Sequence, residues 1–402
     1  MSSRTKIEWT RSDDGTPGQT WNPTTGCDRV SPGCDNCYAL TMAKRLKGMG
    51  QAKYQADGDP RTSGPGFGVS VHPDTLDEPL HWKKPRRVFV NSMSDLFHDA
   101  VPDEHIVAVF ARMWWSPQHT FQVLTKRHGR MRSLVPRIEQ RLRKMERDLE
   151  LVDAPTPLHW PLPNLWLGVS VEDQRWADIR IPALLDAPAA VRFVSCEPLL
   201  GPVDLRLPAD HSTHERDYTD GMPWPQCLDC STDDSTVDWT VPSEPRLHWV
   251  ISGGESGPGA RPAHPDWFRS LRDQCHNADV AYFHKQHGEW QPIGPLYGDL
   301  EETDEGHLEA VHLEAVEGKR VIQLESDGYI AEGHQPGDTR TWLMARVGKK
   351  AAGRELDGRT WDQFPEPSRS DFRASIAAGL TEDFDTFSRR LDAATTDTPR
   401  RG

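Results

Sequence analysis

No stretch of the 402-residue chain approaches the ~18 consecutive apolar residues that a membrane-spanning helix needs. The opening residues, Met1-Ser-Ser-Arg-Thr-Lys6, lack the apolar run of a secretory signal. Only 36% of residues are hydrophobic, which is low but sufficient for a core. The expectation is a cytoplasmic protein with no membrane partner. No Gly-x-Gly-x-x-Gly fingerprint opens a predicted helix, so a dinucleotide-binding fold is not indicated. Basic charge is also scarce: 47 Lys and Arg against 61 Asp and Glu leave a net charge of −14, a poor endowment for non-specific polyanion binding. The shortage is uneven, however. Residues 1–150 hold 23 basic against 18 acidic residues, and the remainder 24 against 43. The basic excess gathers in Lys83-Lys84-Pro85-Arg86-Arg87 and between Lys126 and Arg147, where a local face could still meet phosphate. Cysteines number seven, an odd count that cannot pair completely within one chain.

What is present is strand–helix alternation. Short β-branched and aromatic runs at 87–91, 120–124, 165–171, 191–194, 248–251 and 280–283 alternate with helical spacing at 102–115, 130–151, 173–185 and 265–277. Near-continuous apolar strands of this kind belong to parallel sheets buried on both faces. The expected fold is therefore α/β, a partial or full TIM-type barrel. Such barrels carry their chemistry at the C-terminal ends of the strands. Those ends are rich in polar groups here: Asn91, Ser92, Ser94, Asp95, Lys126, Arg127, Ser170, Glu172, Ser195, Cys196, Glu197, Glu255 and Lys285. Some serve as helix caps, with Asp95 and Asp173 the natural choices. The barrel domain is expected over 1–290, interrupted by a Pro-, Asp-, Ser- and Thr-rich insertion at 206–246. An acidic insertion and a mixed C-terminal extension follow over 291–365, with a tandem His-Leu-Glu-Ala-Val at 307–316. A polar, partly disordered tail closes the chain over 366–402.

Three cysteines crowd into Trp21-Asn-Pro-Thr-Thr-Gly-Cys27-Asp-Arg-Val-Ser-Pro-Gly-Cys34-Asp-Asn-Cys37-Tyr38, a Cys-x6-Cys-x2-Cys loop rich in Gly and Pro before a predicted helix at 39–46. Thiolates select zinc or iron–sulfur centres. Structural zinc takes four protein ligands, and no fourth Cys or His follows within the next 30 residues. A distant His81 or Cys196 could complete a zinc site. Alternatively, three thiols leave one iron of a [4Fe–4S] cluster open to a small molecule. Cys227-Leu-Asp-Cys230, with His211 and His214 upstream, has knuckle spacing but matches no zinc module. Cys275, on a predicted helix, reads as core.

The loop, followed by βα units, resembles the radical S-adenosylmethionine (SAM) superfamily, whose usual spacing is Cys-x3-Cys-x2-Cys on a (βα)6 partial barrel. The x6 gap departs from that pattern, as does Asn36 where the superfamily commonly has an aromatic residue. The chain is more similar to a phage and actinobacterial family of three-cysteine, radical-SAM-like proteins of unestablished activity, and more distantly to spore photoproduct lyase. That likeness rests on Thr5-Lys-Ile-Glu-Trp9, Gly26-Cys27, Ser31-Pro-Gly-Cys34, Val90-Asn-Ser-Met-Ser-Asp-Leu-Phe-His98, Leu124-Thr-Lys-Arg127, Gly168-Val-Ser-Val-Glu172, Ser195-Cys-Glu-Pro-Leu-Leu-Gly201 and Gly253-Gly-Glu-Ser-Gly-Pro-Gly259.

The resemblance implies a [4Fe–4S] cluster on Cys27, Cys34 and Cys37, with SAM on the fourth iron. An electron-donating reductase would trigger cleavage to a 5′-deoxyadenosyl radical. Asn91, Ser92, Ser94 and Asp95 would meet the methionyl end of SAM. Ser170 and Glu172 would serve ribose or carboxylate contacts at the same rim. Gly253 and Gly254 would let the backbone approach adenosine, although a plain strand-to-helix turn explains the two glycines equally; Glu197 and Glu255 would be further cofactor-binding residues. Cys196 would donate a hydrogen atom to a product radical, against the simpler reading of a buried thiol. Lys126, Arg127 and Lys285 would hold phosphate. The expected activity is modification or repair of a nucleic-acid base, in DNA or in a free nucleotide, within the host cytoplasm if the chain is phage-encoded. The competing expectation is a non-catalytic zinc or iron–sulfur nucleic-acid-binding protein.

Overall fold

The computed structural model describes residues 4–12, 15–148, 157–207, 246–295, 318–331 and 341–365. Seven parallel strands form its centre: β1 (Gln19–Trp21), β2 (Arg87–Val90), β3 (Thr120–Thr125), β4 (Leu165–Ser170), β5 (Val191–Cys196), β6 (Trp249–Gly253) and β7 (Ala281–Gln286). They pair in strict chain order, Trp21 beside Val90, Val90 beside Val123 and Ser170 beside Ser195. The sheet curls into a half-barrel flanked by helices. Parallel neighbours need crossovers, and four of these are α2 (Asp103–Trp114), α3 (His128–Asp148), α4 (Gln174–Leu185) and α5 (Pro265–Asn277). Asp173 caps α4 by accepting a hydrogen bond from the Trp176 amide at 3.1 Å, as its position before the helix led us to expect. Asp95 caps no helix. It accepts from the Phe97 and Lys126 amides and the Thr125 hydroxyl, joining the ends of β2 and β3.

Side chains alternate across the sheet, as a two-residue period requires. Leu165, Leu167, Val169, Val194, Cys196, Val250 and Tyr282 join the large core beneath the helices. Phe89, Trp166, Val191, Phe193, Trp249, Ile251 and Phe283 face the concave side and form a dry floor. Trp9 inserts into this floor from the turn Glu8–Thr10, edge-on to Phe89 at 4.7 Å and to Trp249 at 6.2 Å between centroids. Above the floor the inward positions turn polar, so the concave face is apolar below and hydrophilic above.

The sequence allowed a full barrel, but β1 and β7 do not pair and the barrel stays open. The cause is that both edges are occupied. Thr5 donates to the Gly18 carbonyl at 2.9 Å beside β1. Along β7, His284 donates to the Trp361 carbonyl at 2.9 Å and Gln363 to the Tyr282 carbonyl at 3.1 Å. Covered edges cannot recruit a further strand. A second difference concerns the region read as an acidic insertion. It contributes to a separate antiparallel sheet of β8 (Trp290–Pro295), β9 (Arg320–Glu325), β10 (Ile330–Ala331) and β11 (Thr341–Arg346), ordered β8-β11-β9-β10. The pentapeptide repeat, the His211, His214, Cys227 and Cys230 group, and the 366–402 tail lie outside the described residues. No helix among the described residues is long and apolar enough to cross a membrane.

Trp9 is 2% exposed and wedges the open side of the half-barrel. Replacing it with alanine should cost about 3–5 kcal/mol, as for a buried aromatic side chain. Urea unfolding of Trp9→Ala checks this; a loss below about 1 kcal/mol would mean that the Glu8–Thr10 turn is not part of the core.

Candidate functional site

A cavity of about 1030 Å³ opens above the aromatic floor, at the C-terminal ends of the strands. Pockets that hold one small molecule measure roughly 300–1,000 Å³, so this one is large enough for more than a single small ligand. Cys27, Cys34 and Cys37 line it together. They sit on the connection from β1 to α1 (Tyr38–Gly48), so the sheet's first crossover carries all three thiols over the concave face. The other walls include Asn91, Ser92, Ser94, Asp95, Lys126, Ser170, Glu197, Gly254, Glu255 and Lys285. Fourteen sequence-selected residues from positions far apart in the chain therefore meet around one space, counting Ser195 with the three thiols and these ten.

Two polar clamps hold the cysteine loop down. On one side Glu172, fully buried, accepts from Ser31 Oγ at 2.8 Å and from Arg180 Nη1 at 2.8 Å, and pairs with Lys126 Nζ. Burial alone would raise the Glu172 carboxyl. The Lys126 and Arg180 charges, with the bonds from Lys126 and Ser31, outweigh burial and hold it below the usual carboxylate range. The loop comes so close here that a Cβ on Gly33 would lie 2.5 Å from Glu172 Cγ. On the other side, Arg261 grips Glu255 with bonds of 2.8 and 2.6 Å and reaches the Pro32 carbonyl at 2.9 Å. Asn36 Nδ2 donates to Glu255 Oε2 at 3.0 Å and to the Gly259 carbonyl at 2.9 Å. Within the x6 spacer, Asp28 accepts from Thr62 at 2.6 Å and Ser63 at 3.0 Å and pairs with His98 at 3.1 Å. The long first gap is thus a folded, anchored segment.

Several expected roles need correction. Cys196 ends a strand beside the site, but the alternation turns its thiol into the helix-side core, where it is 0% exposed. It can neither reach a radical in the cavity nor complete a zinc site with the loop cysteines. Glu172 does not line the cavity, because its carboxylate is consumed by the loop, Lys126 and Arg180. Arg127 likewise braces the loop, donating to the Asp28 carbonyl at 3.3 Å and pairing with Asp99 at 3.6 Å. The two glycines make room for the chain itself: a Cβ on Gly254 would lie 2.0 Å from the His287 carbonyl oxygen, and one on Gly253 2.6 Å from Glu197 Oε1. The basic run 83–87 leads into the opposite, N-terminal end of β2. On α3, Arg130, Arg132, Arg141, Arg143 and Lys144 all have acidic partners.

The donor chemistry fits a thiolate-bound metal centre. Burial, with Asp95 adding to it, pushes the Cys27 thiol up to about 12, and burial also raises Cys37. A metal cation supplies the counter-charge that buried thiolates need. Asn91 supports a ligand beside them. It is 3% exposed, holds a left-handed φ of 62° at the end of β2, and its Nδ2 has no partner. A buried donor left open on a strained residue at a cavity wall is the pattern of a ligand contact. Among the described residues no three or more His, Cys, Asp or Glu side chains converge as a single-ion site. Sequence reasoning missed Ser31, Asn36, Arg180 and Arg261. Arg180 left a signal, standing four residues after Trp176 on the apolar stripe of α4; the grip of Arg261 on the loop left none, because Pro32 and Asp35 are over 220 residues away.

Fold and site together define a parallel α/β half-barrel protein with a cysteine loop docked over its mouth. More particularly, residues 4–365 match the family described as protein of unknown function (DUF5131), and the chain belongs to that family. No curated protein and no solved structure matches it.

Glu172→Gln removes the buried carboxylate that pairs with Arg180 and Lys126 and should destabilise the fold by about 3–5 kcal/mol near neutral pH. Because the folded carboxyl sits below its unfolded value, that contribution is complete above the ordinary carboxylate range and fades as pH falls through the folded value. Denaturant titrations of both proteins from pH 7 to pH 3 should therefore converge at the acid end. A constant gap would show that packing, and not charge, is what the substitution removes.

Proposed function

We propose that this protein is a radical-SAM-like [4Fe–4S] enzyme that acts on a nucleic-acid base or nucleotide. The observation that carries the reading is the presence of three thiols from one anchored loop in the same strand-end cavity as Asn91, with its open donor. Cys27, Cys34 and Cys37 would hold three irons and leave the fourth to SAM. When bound, that pair supplies reductive cleavage of SAM to a 5′-deoxyadenosyl radical. The chain's own part is to bind, orient and exclude water. Asn91, Ser92, Ser94 and Asp95 lie on the wall that would receive the methionyl end, and Ser170 and Glu197 line the same cavity. Lys126 and Lys285 reach the same space, already paired with Glu172 and Glu197. The aromatic floor seals the lower end, which suits a reactive intermediate that water and bystander groups must not meet. A cavity of this size admits a nucleotide or one extruded base and not a duplex, so work on DNA would require base flipping.

Anaerobic reconstitution with iron and sulfide should give a brown protein with about four irons per chain. Dithionite with SAM should then yield 5′-deoxyadenosine, and Cys27→Ala, Cys34→Ala or Cys37→Ala should each abolish both colour and product. A colourless protein that holds one zinc would sink the enzyme reading in favour of a nucleic-acid-binding protein. Salt-sensitive retention of DNA oligonucleotides separates a nucleic-acid substrate from a free nucleotide.

A further inference from the structure

The last barrel strand departs from regular pairing where it reaches the cavity. Ser252 pairs with His284, but the next residue, Gly253, pairs with Gln286, so Lys285 is an extra residue in β7. An extra residue of this kind breaks the alternation and re-aims the side chains after it. Without it, Gln286 would follow Tyr282 and His284 into the helix-side core. With it, both Lys285 and Gln286 line the cavity.

Lys285 is satisfied by Glu197 at 2.9 Å. Gln286 is not satisfied. It is 6% exposed, its Nε2 makes one long bond of 3.4 Å to the Gly254 carbonyl, and its Oε1 has no partner. The backbone beneath it is fixed, since the Gln286 main-chain carbonyl accepts from the Gly254 amide at 2.9 Å. A buried amide oxygen without a donor is costly to leave unpaired, and here it belongs to a wall residue whose neighbouring charges, Lys285 and Glu197, pair with each other. Such a group suits an uncharged ligand edge that offers an N–H, and suits phosphate poorly. A carboxamide matches the adenine edge in particular, accepting from its exocyclic amino group while offering an N–H to the adjacent ring nitrogen.

We propose that Gln286 is a recognition residue for adenine, accepting a hydrogen bond from its exocyclic amino group. The inference deepens the reading above and rests on it for the ligand class. Adenine could come from the SAM cosubstrate or from the substrate base, and the chemistry at Gln286 is the same in both.

The test is equilibrium binding to the full chain without iron, comparing adenosine with purine riboside, which lacks the exocyclic amino group. The native chain should prefer adenosine about tenfold to a hundredfold. Gln286→Leu should reduce that preference to within about twofold, whereas Gln286→Glu, which retains an acceptor of the same reach, should keep it. Repeating the comparison with S-adenosylhomocysteine, and with AMP in its presence, assigns the adenine to cosubstrate or substrate. Equal binding of the two nucleosides by the native chain, an unchanged preference in folded Gln286→Leu, or no binding of either nucleoside overturns the proposal. The first comparison needs no variant, so misfolding of one cannot mask the result. A chain that takes up no iron yet shows the Gln286-dependent preference loses the radical-SAM reading alone. A chain that assembles the cluster and shows no preference loses this inference alone.

Discussion

The docking of the cysteine loop onto Glu172 is the interaction on which the site depends. A carboxylate with no solvent exposure is tolerated only when opposite charge and hydrogen bonds surround it. Arg180 comes from α4, Lys126 from the end of β3 and Ser31 from the loop itself, so one buried anion ties together a crossover helix, a neighbouring strand and the segment bearing all three thiols. Gly33 allows the approach, since a side chain there would overlap the Glu172 stem. The Arg261–Glu255–Asn36 clamp secures the other flank from beyond β6. A loop held at both flanks keeps its sulfurs above the concave face without relying on its own regular structure.

The division of the concave face follows from the same alternation that builds the sheet. Trp166, Phe193 and Trp249 occupy lower inward positions, and Ser170, Ser195 and Gly253 follow two or four residues later on the same strands. One period therefore yields a sealed base and a reactive mouth. Cys196 shows how unforgiving this geometry is: one residue beyond Ser195, its thiol belongs to a different compartment. Lys285 shows the complementary case, where one inserted residue returns Gln286 to the cavity.

The six strands and four helices from 87 to 286 were legible because their hydrophobic runs and periods are local properties. The cysteine loop was legible because spacing and chemistry coincide. Three things were hidden for physical reasons. β1 has three residues, Gln19-Thr-Trp21, too few to display a period. The β8–β11 sheet lies among acidic and polar residues, and its order β8-β11-β9-β10 is set by long-range pairing. The roles of Glu172 and Arg127 were assigned to ligands because strand-end position marks proximity to a site, while the partner a side chain chooses depends on segments elsewhere in the chain.

The covered edges of the half-barrel carry a consequence for how the chain is made. Residues 361–363 lie along β7, and Trp249 bonds to the Gln363 carbonyl and stacks near Phe364 at 5.2 Å. Trp9, at the other extreme of the described chain, enters the same aromatic floor. Contacts between segments so distant in sequence are slow to form. During synthesis the floor therefore stays incomplete, and the β7 edge stays bare, until almost the whole described chain has emerged. The nascent half-barrel must spend that interval with an apolar hollow and an unpaired strand exposed, a state vulnerable to aggregation.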